Sequence, residues 1–172
     1  LYKSSNPKSG LFSDYNNFDG TPHGVSYNGN AEKYMYDAMR CAMNFGMDYY
    51  LFGVDSARQE EMARRIIDFF EKDGYKHARF NWDGSNPQEQ YTQGEAGANA
   101  VAAMALINDS KYDAAVKKNC RYSALSGRTP AISSEIPADC AAFLRIASGS
   151  PSFLASISLR SIAILRLQIS IG

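Results

Sequence analysis

The sequence predicts an all-α fold in which inner and outer helices alternate. A first predicted helix, over residues 30–53, is apolar nearly all round, whereas a second, over 55–72, carries its apolar residues on one face. A third, over 96–107, is rich in alanine and has no charged residue. Because a helix that is apolar all round must be buried and an amphipathic helix covers a core, this alternation indicates α-hairpins packed as a bundle or an α/α toroid.

Length and charge limit the class of protein. The 172 residues correspond to about one domain, and 18 basic against 18 acidic side chains exclude a strongly basic nucleic-acid-binding protein. No run of eighteen apolar residues is present to span a bilayer, and three cysteines are too few for a disulfide scaffold or a zinc site. We therefore expect no nucleic-acid partner and no membrane partner, and the sequence implies no cofactor.

The composition changes abruptly near residue 119. Residues 1–119 hold 8 Lys, 5 Arg and 16 acidic residues, whereas residues 120–172 hold 5 Arg, 2 acidic residues and no Lys. We expect residues 1–119 to form the organised part of the chain. The atypical tail, 120–172, is open to three interpretations: a small second domain, an amphipathic appendage, or an out-of-frame or disordered extension. The out-of-frame interpretation is favoured because the tail shows no clear helix caps and no sustained period.

The first thirty residues predict a long surface loop. They are rich in Asn, Gly, Ser, Asp and Pro, and aromatic residues are interleaved among them. A loop of this length in a compact enzyme is usually functional. Tyr15 and Asn16 precede the first helix in this loop, and they are candidates for lining a cleft.

The first helix is expected to begin with Asn30 as its N-cap and to end at Gly53. Beyond its first turn, its polar residues fall within one narrow wedge of the helical wheel. Since unpaired buried charge is costly, this wedge must face other polar groups or a water-filled cleft. The wedge consists of Lys33, Asp37, Arg40, Asn44 and Asp48.

The later elements have clearer boundaries. The second helix is expected to end at Asp73-Gly74, and residues 78–82 are predicted to be extended and to close with the turn pair Asp83-Gly84. The remaining elements are the buried helix over 96–107 and a short amphipathic helix over 111–118.

Three neighbouring residues in the first helix are candidates for chemistry. Asp37 and Arg40 are three apart and share a helix face. A guanidinium at this distance favours the ionised carboxylate, which a general base requires. Tyr36 can offer a hydroxyl group and a ring face to a sugar. The alternative is a purely structural Asp–Arg pair on a solvated stripe, and the spacing alone favours that alternative.

Several stretches together resemble a known family in order and spacing. They are the loop residues 9–15 (SGLFSDY) and 18–22 (FDGTP), the run 36–40 (YDAMR) with Asn44 and 48–50 (DYY), and Gly94, Asn99 and Ala100. The run 36–40 resembles the base-bearing inner helix of glycoside hydrolase family 8. The pattern is most similar to the branch of reducing-end xylose-releasing exo-oligoxylanases, and it covers residues 9–119.

The resemblance implies an α/α six-hairpin toroid that hydrolyses β-1,4-linked xylose or glucose chains with inversion. Enzymes of this kind use a Glu general acid and an Asp general base, separated by room for one water. Asp37 aligns with the base, and Tyr36 and Arg40 align with substrate-binding positions. The acid lies on an early helix in this family, so we expect it to precede Leu1 and this chain to be a fragment that lacks it.

Two departures leave the mode of action open. Tyr91-Thr92 stand where the exo-acting branch has a His-Pro pair, and Glu95 replaces an apolar residue. The alternatives are an endo-β-1,4-glucanase or endo-xylanase of the same family, or a non-catalytic carbohydrate-binding helical protein. The exo-oligoxylanase interpretation implies a cytoplasmic location, and the others imply secretion.

Overall fold

The computed structural model describes residues 1–124, with side chains to residue 119. The predictions for the rest of the tail therefore lie outside the described residues. Four α-helices and three strands are described: β1 (Lys33–Tyr34), α1 (Met39–Leu51), α2 (Ser56–Asp73), β2 (His77–Asn81), β3 (Gln88–Gln90), α3 (Gln93–Ala102) and α4 (Asp113–Ala124). Short 3₁₀ turns lie at Tyr2–Ser4, Ala103–Leu106 and Ser110–Tyr112. The described part is mostly helical, as predicted, but its small sheet means that it is not all-α.

Helix α2 forms as its sequence predicts. It follows Asp55, and Gly74 ends it in the left-handed conformation at φ 72°, which glycine adopts without a Cβ penalty. The residues of its apolar stripe are almost fully buried, while its other face is charged. The buried stripe consists of Met62, Ala63, Ile66, Ile67 and Phe70.

The expected start of the first helix is wrong. Helix α1 begins at Met39, and Asn30 does not cap it: the Asn30 side-chain oxygen accepts a hydrogen bond from Lys33 Nζ at 2.9 Å. Residues 33 and 34 instead form strand β1, in which Tyr34 pairs with Phe80. Local capping propensity is therefore overridden by the ladder that β1 forms with β2.

Helix α1 is also less buried than its sequence predicts. Only Ala42, Phe45 and Gly46 are buried in it, whereas Tyr50 and Leu51 near its end are exposed. An apolar surface on nearly all sides does not by itself bury a helix, since burial also requires neighbours on each side.

The sheet has the order β1-β2-β3 and is antiparallel throughout. Strand β2 includes residues 78–81 of the predicted extended segment, whereas Trp82 already lies in the turn that follows. That turn contains Gly84 at φ 88°, as Asp83-Gly84 indicates. Ala78, Arg79 and Phe80, in the middle of β2, are buried. The sheet therefore places one charged side chain in the interior.

Helices α1 and α3 pack closely against each other in the core. A Cβ atom added to Gly46 of α1 would lie 2.2 Å from the carbonyl oxygen of Val101 in α3, so the two backbones are in direct contact. Helix α3 is buried as predicted, although it begins three residues early and passes into a 3₁₀ turn at Ala103. The predicted fourth helix is present as α4, which begins at Asp113, two residues later than expected, and extends beyond residue 118.

Candidate active site

The predicted Asp–Arg pair is present at the N-terminal end of α1. Asp37 lies in the turn between β1 and α1, and Arg40 lies in the first turn of the helix. The Asp37 Oδ1 atom is 2.7 Å from an Arg40 terminal nitrogen, and the two side chains are 56% and 61% exposed. The carboxylate is therefore both ion-paired and open to solvent, where a water molecule can reach it.

The backbone at this turn is held by a residue that sequence reasoning did not identify. The Oδ1 atom of Asp14 accepts hydrogen bonds from the Asp37 N–H at 3.1 Å and the Ala38 N–H at 2.8 Å. Ala38, at the cap position, has no side chain to satisfy the free amides. Asp14 thus caps α1 from 23 residues upstream, within the stretch 9–15 that carries the family resemblance.

Asp14 is also electrostatically close to Asp37. Burial raises the pKa of Asp14 above its ordinary value, and the negative charge of Asp37 acts in the same direction. The hydrogen bond from the Ala38 amide opposes both effects and lowers this pKa, but the net direction is upward. The site therefore combines one solvent-open carboxylate with a second, partly buried one.

Tyr36 lies beside Asp37 with one ring face covered. The guanidinium carbon of Arg79 is 4.0 Å from the centroid of the Tyr36 ring. The Tyr36 hydroxyl donates to the Glu89 carboxylate, at 3.2 and 3.3 Å from its two oxygens. The Tyr36 side chain is nevertheless 54% exposed, so that its other face is available to a ligand.

The cation under Tyr36 belongs to a buried ion pair. Arg79 is 2% exposed and Glu95 is 0% exposed, and an Arg79 terminal N–H donates to Glu95 Oε1. Thr92, which precedes α3, donates its hydroxyl to the other Glu95 oxygen. Sequence reasoning missed Arg79, although a lone charge within an apolar strand is a signal for such a pair.

The two loop candidates are placed differently. Tyr15 is half-buried, and its ring centroid is 6.4 Å from that of Tyr27. A hydrogen bond with Tyr27 raises the pKa of Tyr15, and the negative charges of Asp37 and Asp14 act in the same direction. Asn16 is engaged within its own loop: its amide donates to the Ser13 carbonyl at 3.0 Å and accepts from the Ser13 hydroxyl at 2.8 Å.

Two further properties concern the described residues only. Within residues 1–124, no group of three or more His, Cys, Asp or Glu side chains is arranged to hold a metal ion. In the same part of the chain, no helix combines the length and the apolar character needed to cross a membrane.

The chain is similar to enzymes that act on xylan fragments. No family model matches it. It is 29% identical over 107 residues to the reducing-end xylose-releasing exo-oligoxylanase Rex8A of Paenibacillus barcinonensis, a match that covers 61% of this chain and 28% of that protein.

Solved structures agree with the sequence match. The fold superposes on a GH8 xylobiose complex from Teredinibacter turnerae with a TM-score of 0.56 and 36% identity, covering 60% of this chain and 26% of that one. It also superposes on Rex8A of P. barcinonensis complexed with xylose, with a TM-score of 0.58 and 29% identity, covering 67% and 31%.

These relatives are glycoside hydrolases. The resemblance to glycoside hydrolase family 8 is confirmed, and the homologues of this chain are family 8 xylanases and exo-oligoxylanases. The chain spans between about a quarter and a third of the length of these relatives.

Proposed function

We propose that this chain is part of an inverting family 8 glycoside hydrolase that acts on β-1,4-linked xylo-oligosaccharides or xylan, with Asp37 as its general base. The observation that carries the proposal is the solvent-open Asp37–Arg40 pair at 2.7 Å, located at the start of α1. The positive end of a helix dipole favours negative charge at this position. The names of the relatives, a xylobiose complex and a reducing-end xylose-releasing enzyme, support the substrate class.

In this proposal each residue of the site has one task. Asp37 accepts a proton from the water that attacks the anomeric carbon, while Arg40 holds the carboxylate ionised and oriented. Tyr36 offers its free ring face to a sugar. Tyr15 and Asn16, in the loop, are proposed to line the cleft in which that sugar binds. The general acid, a Glu on the opposite side of the sugar, stands about 6.5–9.5 Å from the base in inverting enzymes. It is proposed to lie outside this sequence, in a complete α/α six-hairpin toroid.

The exo-acting mode is the first choice, and the endo-acting mode is the second. Similarity to Rex8A favours release of xylose from the reducing end. The chain is also 36% identical to a Teredinibacter turnerae protein that is named as a xylanase, without reducing-end release. This similarity leaves endo-xylanase action as the second candidate. Product analysis on xylohexaose separates them, because an exo-enzyme releases xylose from the first turnover.

The base assignment is tested in the complete enzyme encoded around this sequence. Asp37→Asn keeps the size of the side chain but removes its ability to accept the proton. We expect kcat to fall about 10²- to 10⁴-fold while sugar binding is largely kept, because a general base acts mainly in the transition state. The measurement is the steady-state rate of reducing-sugar release from xylotetraose.

Asp48→Asn is the matched control, since Asp48 is an exposed carboxylate of the same helix. Its kcat is expected to stay within about twofold of the parent, because a residue outside the reacting groups contributes no proton transfer. An Asp37→Asn enzyme that kept the parent rate would contradict the assignment. A large loss in Asp48→Asn would then identify Asp48 as the base.

A further inference from the structure

The Arg79 cluster comprises Arg79, Glu89, Glu95 and Thr92, and it joins three elements of the fold. Arg79 comes from β2, Glu89 from β3 and Glu95 from the first turn of α3, with Thr92 just before that helix. Both members of its central ion pair are almost fully inaccessible to solvent. A buried ion pair is weak support for stability by itself, because desolvation of the two charges offsets their attraction.

The cluster is directed toward Tyr36. Beyond its pair with Glu95, the Arg79 guanidinium lies 4.0 Å from the Tyr36 ring centroid, within range of a cation–π contact. The Arg79 Nε atom is 3.6 Å from Glu89 Oε2, and Glu89 also accepts a hydrogen bond from the Tyr36 hydroxyl. Tyr36 is therefore held at both its ring face and its hydroxyl by parts of one cluster.

The backbone at Glu89 supports the same conclusion. Glu89 has φ 54°, in the left-handed region that a residue with a side chain rarely adopts, although it lies within a strand. Such conformations persist where the surrounding contacts fix them. The contacts of Glu89 are the Tyr36 hydroxyl and Arg79.

From this geometry we infer that Arg79, fixed by Glu95 and Glu89, is a positioning residue that holds Tyr36 with only one ring face open to a sugar. The inference rests on the proposed function for the identity of the ligand. The position of the ring itself can be tested without a ligand. Glu89, whose side chain is 46% exposed, is the solvent-accessible end of the cluster.

The positioning is tested in the full 172-residue chain by NMR with ring-labelled tyrosine, the Tyr36 signals being assigned with Tyr36→Phe. Arg79→Lys keeps the charge that Glu95 needs but removes the planar guanidinium that covers the ring. Glu89→Gln changes a partly exposed side chain and leaves the buried ion pair intact. Glu32→Gln is the matched control, because Glu32 is an exposed glutamate without an ion pair among the described residues.

We expect Arg79→Lys to shift the Tyr36 ring signals, because the planar guanidinium no longer covers the ring. Glu89→Gln should shift the Tyr36 signals in the same direction by less, and Glu32→Gln should leave them unchanged. Tyr75 and Tyr91 report on the core. The inference is overturned if the Tyr36 signals stay unchanged in both variants. It is also overturned if they move only together with the signals of Tyr75 and Tyr91.

Titration with xylotetraose separates this inference from the proposed function. In Arg79→Lys the sugar itself must order Tyr36. The Kd for xylotetraose should therefore rise by about 3- to 30-fold, which corresponds to the free energy of a cation–π contact. The Tyr36 signals can respond to Arg79→Lys even if the chain binds no xylotetraose. That result would support the positioning role and count against the proposed sugar site.

Discussion

At the scale of single residues, one carboxylate determines where the candidate site begins. Asp14 accepts hydrogen bonds from the backbone N–H groups of Asp37 and Ala38, just before α1. Asp37 is the same residue whose side chain pairs with Arg40. Free amides at a helix start need acceptors, and a side-chain oxygen is the usual one. The loop thus fixes the backbone that carries the candidate base.

Removal of this cap should destabilise the fold. Asp14→Ala leaves two amides without their acceptor, and we expect the free energy of unfolding to fall by about 1 kcal/mol. Asp14→Asn keeps an oxygen acceptor at the same place and should lose much less. Urea denaturation followed by circular dichroism measures both variants, and equal losses in the two would contradict the capping role.

The same residue predicts a pH dependence of stability. Since the pKa of Asp14 is raised above 3.8 in the folded chain, ionisation of this group costs more in the folded than in the unfolded state. Its contribution to stability therefore falls as the pH rises from about 3.8 through the raised pKa, and it stays low above it. Asp14→Asn removes this titration, so its stability relative to the parent should improve between pH 3 and pH 7. A stability difference that does not vary with pH would contradict the raised pKa.

At the scale of elements, the contact of α1 with α3 depends on a missing side chain. Gly46 has the backbone of Val101 and Ala102 in the space that a Cβ atom would occupy. The absence of that atom lets the two helices approach closely.

Gly46→Ala is therefore expected to destabilise the chain. Alanine favours an α-helix over glycine by about 0.5–1 kcal/mol, but overpacking against a backbone costs about 1–3 kcal/mol. The clash should dominate, because a carbonyl group of α3 cannot move as a flexible side chain can. Gly29→Ala, which meets no atom within 4 Å, is the control and should change stability by less than about 0.5 kcal/mol. Unfolding midpoints in urea decide the matter, and a Gly46→Ala chain as stable as the parent would show that the helices can separate at little cost.

At the scale of the whole molecule, the chain covers only about a quarter to a third of its relatives. We propose that the general acid lies outside it, and general acid–base groups typically contribute about 10²- to 10⁴-fold each. We therefore expect the purified 172-residue chain to release no measurable xylose from xylotetraose. Release at a rate comparable with that of the complete enzyme would show that both catalytic groups are within this sequence.

The sequence by itself determined those features that depend on neighbours along the chain. Helix α2 and its glycine stop, the extended segment with its Asp83-Gly84 turn, and the Asp37–Arg40 pair are all present in the structure. Each follows from periodicity, a cap or an i,i+3 spacing, which are set within a few residues. The family resemblance also depends on short runs of adjacent residues.

Only the tertiary structure decided where α1 begins and what surrounds Tyr36. The start at Met39 depends on β1 pairing with β2 and on Asp14, which is 23 residues away from Asp37. The cluster under Tyr36 depends on Arg79 and Glu95, which are 16 residues apart and belong to a strand and a helix. Contacts between residues so far apart leave no periodic signal in the sequence, because they form only when the chain folds. A buried charge such as that of Arg79 then requires an opposite charge beside it.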